Sequence, residues 1–220
     1  KLADAIFTAS RESFRLRSNK VIVTGHGIDT ELFKPISTFR NFDISKSLKI
    51  LSVGRISPVK NYETLIEAAK ILKDKNVNFG ITVAGEAGLL EDRNYELRIK
   101  NKVKDLGLEN NFDFVGKVDH KNLPQYYQSH DIFVHLSKTG SLDKTVLEAM
   151  ACGINVVSSN DASRAFLKEE MVFKEDNPMD LAEKIKNLRE KGYSDDLRNY
   201  VLENHNLDKL VNKISEIIKR

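Results

Sequence analysis

Short β-branched or aromatic runs alternate along this chain with longer segments whose apolar residues recur three and four positions apart. Lys49–Val53, Phe79–Ala84, Phe112–Val115, Ile132–His135 and Ile154–Val157 read as strands, preceded by a strand-like run over Ala5–Thr8. Tyr62–Lys73 reads as a helix with Leu65, Ala68, Ala69 and Leu72 on one face. Glu91–Leu106 is a charged helix closed by Gly107, the usual residue type at a helix end. Asn122–Gln128 and Lys144–Met150 are short helices, the second followed by Gly153, and Pro178–Lys191 and Leu207–Ile218 are amphipathic ones. Lys34–Ser47, with Pro35, Asn41 and few apolar residues, reads as a linker.

Strand and helix in strict alternation imply βαβ units, hence an α/β fold whose mostly parallel sheet is covered by helices on both faces. Right-handed crossovers put the C-terminal ends of all the strands on one edge, where open α/β sheets bind ligands. The loops after Val53, Ala84, Val115 and His135 are therefore the places to look for chemistry.

The first of these loops is Gly54-Arg55-Ile56-Ser57-Pro58-Val59-Lys60-Asn61. Its glycine permits close approach of a ligand to backbone, and Arg55 and Lys60 place two cations just before a helix, an arrangement suited to a diphosphate. On charge type alone, two solvated loop cations remain the simpler reading. The second, Gly85-Glu86-Ala87-Gly88, is either a ligand loop or a plain turn. The third, Val115-Gly116, either admits a flat base against the backbone or simply ends a strand.

The most informative segment runs from Thr139 through Gly140, Ser141, Leu142, Asp143, Lys144, Thr145, Val146 and Leu147 to Glu148, then on to Gly153. It is a small-residue loop entering a helix after a strand, so backbone N–H groups at the helix start favour negative charge. Glu148 lies one turn inside, surrounded by Val146, Leu147, Ala149, Met150 and Ala151. A carboxylate in so apolar a helix requires a hydrogen-bonding partner, because burying it without one costs several kcal/mol. It is either a ligand for vicinal ribose hydroxyls or an ordinary helix glutamate.

Composition and charge narrow the classes. The chain has 220 residues, with Lys plus Arg 35 against Asp plus Glu 32, a net charge of +3. A mixed surface of that kind argues against a nucleic-acid partner. No apolar run approaches the roughly 20 residues of a membrane-spanning helix, and no secretory leader is visible, so a cytoplasmic location is expected. The lysine-rich composition raises peripheral contact with an anionic membrane face, for which +3 is too small an argument. The single cysteine, Cys152, excludes an internal disulfide and a CxxC metal site, and reads as a small buried residue. Of the five histidines, none pairs with another at metal-ligand spacing, so no metal and no cofactor are expected; His135, ending a core strand at the ligand edge, is the one to watch. Gly25-His26-Gly27 lacks the third glycine of a dinucleotide fingerprint, that position holding Thr30. Neither a Gly-x-Ser-x-Gly elbow nor a Gly-Lys-Ser/Thr phosphate loop occurs.

One ordered set of motifs remains: Gly27-Ile28-Asp29 with Phe33 and Pro35, Val53-Gly54-Arg55 with Lys60, Val115-Gly116, and Leu147-Glu148-Ala149-Met150-Ala151-Cys152-Gly153. Across roughly residues 20–205 this set resembles the C-terminal half of a GT-B glycosyltransferase of the large retaining family 4. The resemblance implies a Rossmann-like half of a two-domain enzyme that binds a nucleotide-diphospho-sugar donor. The acceptor, a glycan or lipid-linked molecule, would be bound by an N-terminal domain that this chain, beginning at Lys1, is expected to lack. Residues 1–40 would then be the remnant of that domain and its hinge, 41–205 the donor-binding domain, and 206–220 a C-terminal docking helix. By position, Arg55 and Lys60 would be the catalytic cations on the diphosphate, helped by Gly54 and Gly85. Glu148 would take the ribose hydroxyls, Thr145 and Val146 would offer amides to the phosphates, and Val115 and Gly116 would lie near the base.

The same resemblance exposes a departure. The family's first acid stands eight positions before the second, and here that position is Gly140. Gly140, Ser141 and Leu142 would then meet the sugar through backbone and small side chains. Asp143 either substitutes for the lost acid or caps the helix, capping being the expectation. Two other readings stay open: a GT-B nucleotide-sugar epimerase, which would turn over without an acceptor, and a non-catalytic binding or assembly module. The isolated chain is expected to be inactive, since a cleft enzyme needs both walls.

Overall fold

The computed structural model describes residues 3–10, 14, 16–36, 46–138, 140–189 and 195–219. Seven strands and eight α-helices occur among them, β1 Ile6–Thr8, β2 Val21–Val23, β3 Leu48–Val53, α1 Tyr62–Asp74, β4 Phe79–Ala84, α2 Asp92–Asp105, β5 Phe112–Gly116, α3 Leu123–Ser129, β6 Ile132–His135, α4 Lys144–Ala151, β7 Asn155–Ser158, α5 Asp161–Arg164, α6 Pro178–Arg189, α7 Asp195–Asn204 and α8 Leu207–Ile218.

β3 to β7 form one fully parallel sheet in the order β5-β4-β3-β6-β7. β6 and β7 are buried at every position and β3 at all but Lys49, because helices cover both faces. α1, α2 and α6 pack together on one face, α3, α4 and α7 on the other. α1 buries Leu65, Ala68, Ala69 and Leu72, the predicted face, together with Tyr62 and Ile66. α2 buries Tyr95, Ile99 and Val103 at four-residue spacing and stops at Gly107, whose φ of +65° suits a helix end. The result is the expected Rossmann-like α/β layer structure. The chain leaves β5 at one edge and crosses to β6 beside the central β3, so the strand order reverses between β3 and β6. A crevice opens at such a reversal outside the carboxyl ends of the two strands.

Three elements depart from the sequence reading. β2 pairs in parallel with β1 in a separate two-stranded sheet, Ile6 opposite Val21, yet three residues are too few for a period to register. α5 is a single turn capped by the Asn160 side chain. α7 buries only Leu197 and Val201 and so lacks an apolar stripe. Of the proposed linker, residues 37–45 lie outside the described residues, as do residues 190 and 191 at the end of the predicted Pro178–Lys191 helix.

Candidate active site

The strand ends at the reversal are stitched together by backbone. Gly54 N–H donates to the Ala84 carbonyl at 3.0 Å, Ile56 N–H to Glu86 at 2.9 Å, and Gly85 N–H to Gly116 at 2.8 Å. Gly85 has no room for a side chain: a β-carbon there would stand 1.9 Å from the Gly54 carbonyl oxygen. Gly116, at φ +72°, faces open space where its β-carbon would be. Gly88 has its own purpose, since a β-carbon there would meet Arg55 Cδ at 2.6 Å. The second loop is thus shaped to let the exposed Arg55 lie across it.

Lys60 closes a 3-10 turn over Pro58–Lys60, ended by Asn61 in the left-handed region at φ +49°. Asn61 holds that conformation by donating to Asp176 Oδ1 at 2.9 Å, and Lys138 N–H reaches the Val59 carbonyl at 3.0 Å. So braced, the Lys60 side chain folds over Gly54, its Cε 3.2 Å from where a β-carbon on that glycine would stand. Its ammonium donates to Asp143 Oδ2 at 2.5 Å.

Asp143 sits at the N-cap of α4 with extended backbone, but its carboxylate makes no capping hydrogen bond. The capping expectation is therefore corrected: Oδ2 accepts from both Lys60 and His135 Nε2, the latter at 2.8 Å. Partial burial pushes the Asp143 carboxyl up, but the hydrogen bond from His135 and the neighbouring His135 and Lys60 charges outweigh it and hold the group well below the usual carboxylate range. His135 is buried, and burial lowers its basicity against the pull of Asp143. Its Nε2–H donates to Asp143 and its Nδ1 lies 3.1 Å from Ser158 Oγ.

The N-terminal amides of α4 are not all available as expected. Val146 N–H is taken by the Asp143 carbonyl at 3.2 Å, so Val146 offers no free donor. Thr145 Oγ1 is buried and has no hydrogen-bond partner among the described residues. Leu142, expected to meet a sugar, is instead 6 % exposed and belongs to the apolar core. The loop carbonyls are held from two sides: Asn160 Nδ2 donates to Ser141 O at 3.1 Å and His26 Nε2 to Leu142 O at 2.7 Å. Thr139 lies outside the described residues.

Glu148 has the partners its burial demands. It is 3 % exposed; Oε2 accepts from the Tyr127 hydroxyl at 3.0 Å and Oε1 lies 2.9 Å from His120 Nε2. His120 is itself exposed and rests edge-on against Phe33, ring centroids 5.1 Å apart. Glu148 follows Asp143 by five residues in the same helix, a rise of about 7.5 Å, the scale on which one nucleotide spans phosphate and ribose. His135 is thus not the sole histidine of interest: His26 and His120 reach the same edge. Sequence spacing could not find them, because each acts on a residue more than 25 positions away. Among the described residues no cluster of three or more His, Cys, Asp or Glu could hold a metal ion, and no helix is long and apolar enough to cross a membrane.

Two curated relatives are mannosylfructose-phosphate synthase of Agrobacterium fabrum, 28% identical over 66% of this chain and 34% of its own length, and lipopolysaccharide core biosynthesis mannosyltransferase LpsB of Rhizobium meliloti, 31% identical over 64% and 40%. The chain thus spans well under half the length of these relatives. The solved structure of Anabaena Alr3699/HepE in complex with UDP superposes with a TM-score of 0.86 at 19% identity, covering 99% of this chain and 64% of that one. The C-terminal domain of a glycosyl transferase group 1 family protein from Francisella tularensis superposes at 0.65 with 25% identity, covering 86% of this chain and 98% of that domain. The family model described as glycosyl transferases group 1 matches residues 35–207; with that match spanning most of its length, the chain belongs to the group 1 glycosyltransferase family.

Proposed function

We propose that this chain is the donor-binding half of a retaining, metal-independent GT-B glycosyltransferase of family 4. It transfers a hexosyl unit from a nucleotide-diphospho-sugar to a glycan or lipid-linked acceptor held by a separate N-terminal domain. One observation carries the reading: where the strand order reverses, Lys60 meets the start of α4 through Asp143, and Glu148 stands five residues further along the chain in that helix. Lys60 and Arg55 are cations placed to offset the charge that develops on a departing diphosphate, a task that calls on no metal. Glu148 supplies a fixed carboxylate for ribose hydroxyls, and Gly116 an open backbone surface for the base. The neighbour that superposes over nearly the whole chain binds UDP, and a second structure of it holds UDP-glucose, which supports a nucleotide-sugar donor here.

Packing supports the docking role proposed for residues 206–220. Leu207 and Leu210 of α8 close on Gly27, and Lys213 donates to the Val23 carbonyl at 2.9 Å, so the last helix lies against the β2 segment. Calorimetric titration with UDP, GDP and ADP tests the function. One of them binds, and Arg55→Ala with Lys60→Ala weakens it at least tenfold; binding of none, or full affinity in the double variant, refutes the proposal. The non-catalytic alternative draws on the glycine at position 140, and it predicts that the full-length enzyme supplied with donor and acceptor transfers nothing.

A further inference from the structure

Asp143 is where this chain places a charge against its own site. The start of α4 is polarised to attract an anion, and Lys60 is the cation held over Gly54 beside it. The anion found there belongs to the chain itself: Asp143 Oδ2, 2.5 Å from Lys60 Nζ and 2.8 Å from His135 Nε2. Neither structural role explains the side chain. It makes no capping bond, and besides one hydrogen bond with the buried His135 ring its ion pair with Lys60 spans two partly covered side chains, 21% and 26% exposed.

Nor does it stand in readily for the acid missing at position 140. Its Oδ2 already accepts two hydrogen bonds, and the side chain is turned towards the end of β6 and the Lys60 turn.

Resting on the donor-site reading above, we infer that Asp143 is a built-in competitor for the donor diphosphate. Its carboxylate holds the Lys60 ammonium until a phosphate oxygen displaces it, and so it sets how tightly the site takes a nucleoside diphosphate. His135 makes the exchange feasible. The buried His135 ring, 3.1 Å from Ser158 Oγ, keeps one hydrogen bond to Asp143 after Lys60 has moved to phosphate, so the carboxylate is not stranded. The cost that remains is the proximity of two anions, carboxylate and phosphate, around one ammonium.

The test is a double-mutant cycle in nucleotide affinity. UDP, GDP, ADP and UDP-glucose are titrated at fixed ionic strength into the wild-type protein and the Asp143→Asn, Asp143→Ser, Lys60→Met and Asp143→Asn/Lys60→Met variants. Each is first checked for fold by circular dichroism and thermal melting. The asparagine amide keeps an oxygen for Lys60 and His135 while losing the charge; the serine variant covers the case in which asparagine perturbs the loop. The expected result is a fivefold or greater gain in nucleoside diphosphate affinity for both Asp143 variants, abolished when Lys60 is also replaced. Affinity unchanged or reduced by removing the charge overturns the inference, as does a gain that persists without Lys60. Weaker UDP-glucose binding with unchanged UDP binding overturns it too, and makes Asp143 a sugar ligand. If neither wild type nor any variant binds a nucleotide, the donor-site reading itself falls; if wild type binds and the charge is immaterial, only the inference falls.

Discussion

The Gly54 carbonyl oxygen fills the space that any side chain on Gly85 would need, 1.9 Å from the position of its β-carbon. Both glycines have φ values near +150°, a region in which side chains are strained. The obstacle is backbone rather than a flexible side-chain end, so it cannot swing away. Gly85→Ala is expected to cost about 1–3 kcal/mol in urea unfolding, the usual range for overpacking a tight site. Because the same contact sets the loop that carries Arg55 and Lys60 against the Gly85 loop, nucleotide affinity should fall by more than the stability loss alone explains.

Tyr127 and Glu148 form a second coupled pair, with the hydroxyl donating to Oε2 at 3.0 Å in the buried interior. Burial first, and then the Glu148 charge, raise the phenol well above its ordinary pKa, so it stays a donor at all working pH values. Tyr127→Phe leaves a buried carboxylate oxygen without that donor and should destabilise the protein by about 1.5–3 kcal/mol. Adding Glu148→Gln should cost less in the Tyr127→Phe background than in wild type, since the neutral amide needs the hydroxyl less. Additive losses in chemical denaturation would show that the two do not act as a unit.

These pairs mark where the sequence stops being informative. β3, β6 and β7 were readable because burial on both faces leaves nearly continuous apolar runs, such as Ile132–His135. That Glu148 must have a partner was readable from its apolar neighbours; that the partners are Tyr127 and His120 was not. Asp143 shows the same limit more sharply. Its position before a helix suggests a cap, but Lys60 arrives from 83 residues away and a charged donor outcompetes the local amide. β2 and α7 were missed for want of signal, one too short and the other burying only two side chains.

Acidification should weaken the fold through its buried histidines. His205 is lowered to about 4, by burial first and then by the neighbouring His26, while its Nδ1 accepts the His26 backbone N–H at 3.1 Å. Burial likewise lowers His26 and His135. An unfolded histidine takes its proton near 6.5, so between there and about 4 the unfolded chain binds more protons than the folded one. Stability is complete above that window and declines as pH falls through it. Asp143 adds a further loss only below its ordinary value near 3.9, because its folded pKa is depressed. Melting temperatures measured from pH 7 to 4.5 should fall steadily, and less steeply in His205→Asn. A flat profile would mean that these imidazoles are free to charge in the folded state.

Arg198 ties α7 to both the segment after β2 and the end of α4. Its guanidinium donates to the Phe33 carbonyl at 3.1 Å, to the Thr30 carbonyl at 3.5 Å and to the Ala151 carbonyl. One planar fork thus serves three acceptors from two parts of the chain, which a lysine's single ammonium cannot reproduce at the same spread. Phe33 is fully buried against His120 and Tyr127, the two residues that hold Glu148. Loosening Arg198 should therefore be felt at the site as well as in the fold. Arg198→Ala and Arg198→Lys are both expected to lower stability by about 1–3 kcal/mol, with lysine recovering less than half of the loss. Hydrogen exchange should quicken at residues 28–34 in either variant while β3 and β6 stay protected. Rescue by lysine to wild-type stability would reduce Arg198 to a simple positive charge near a helix end.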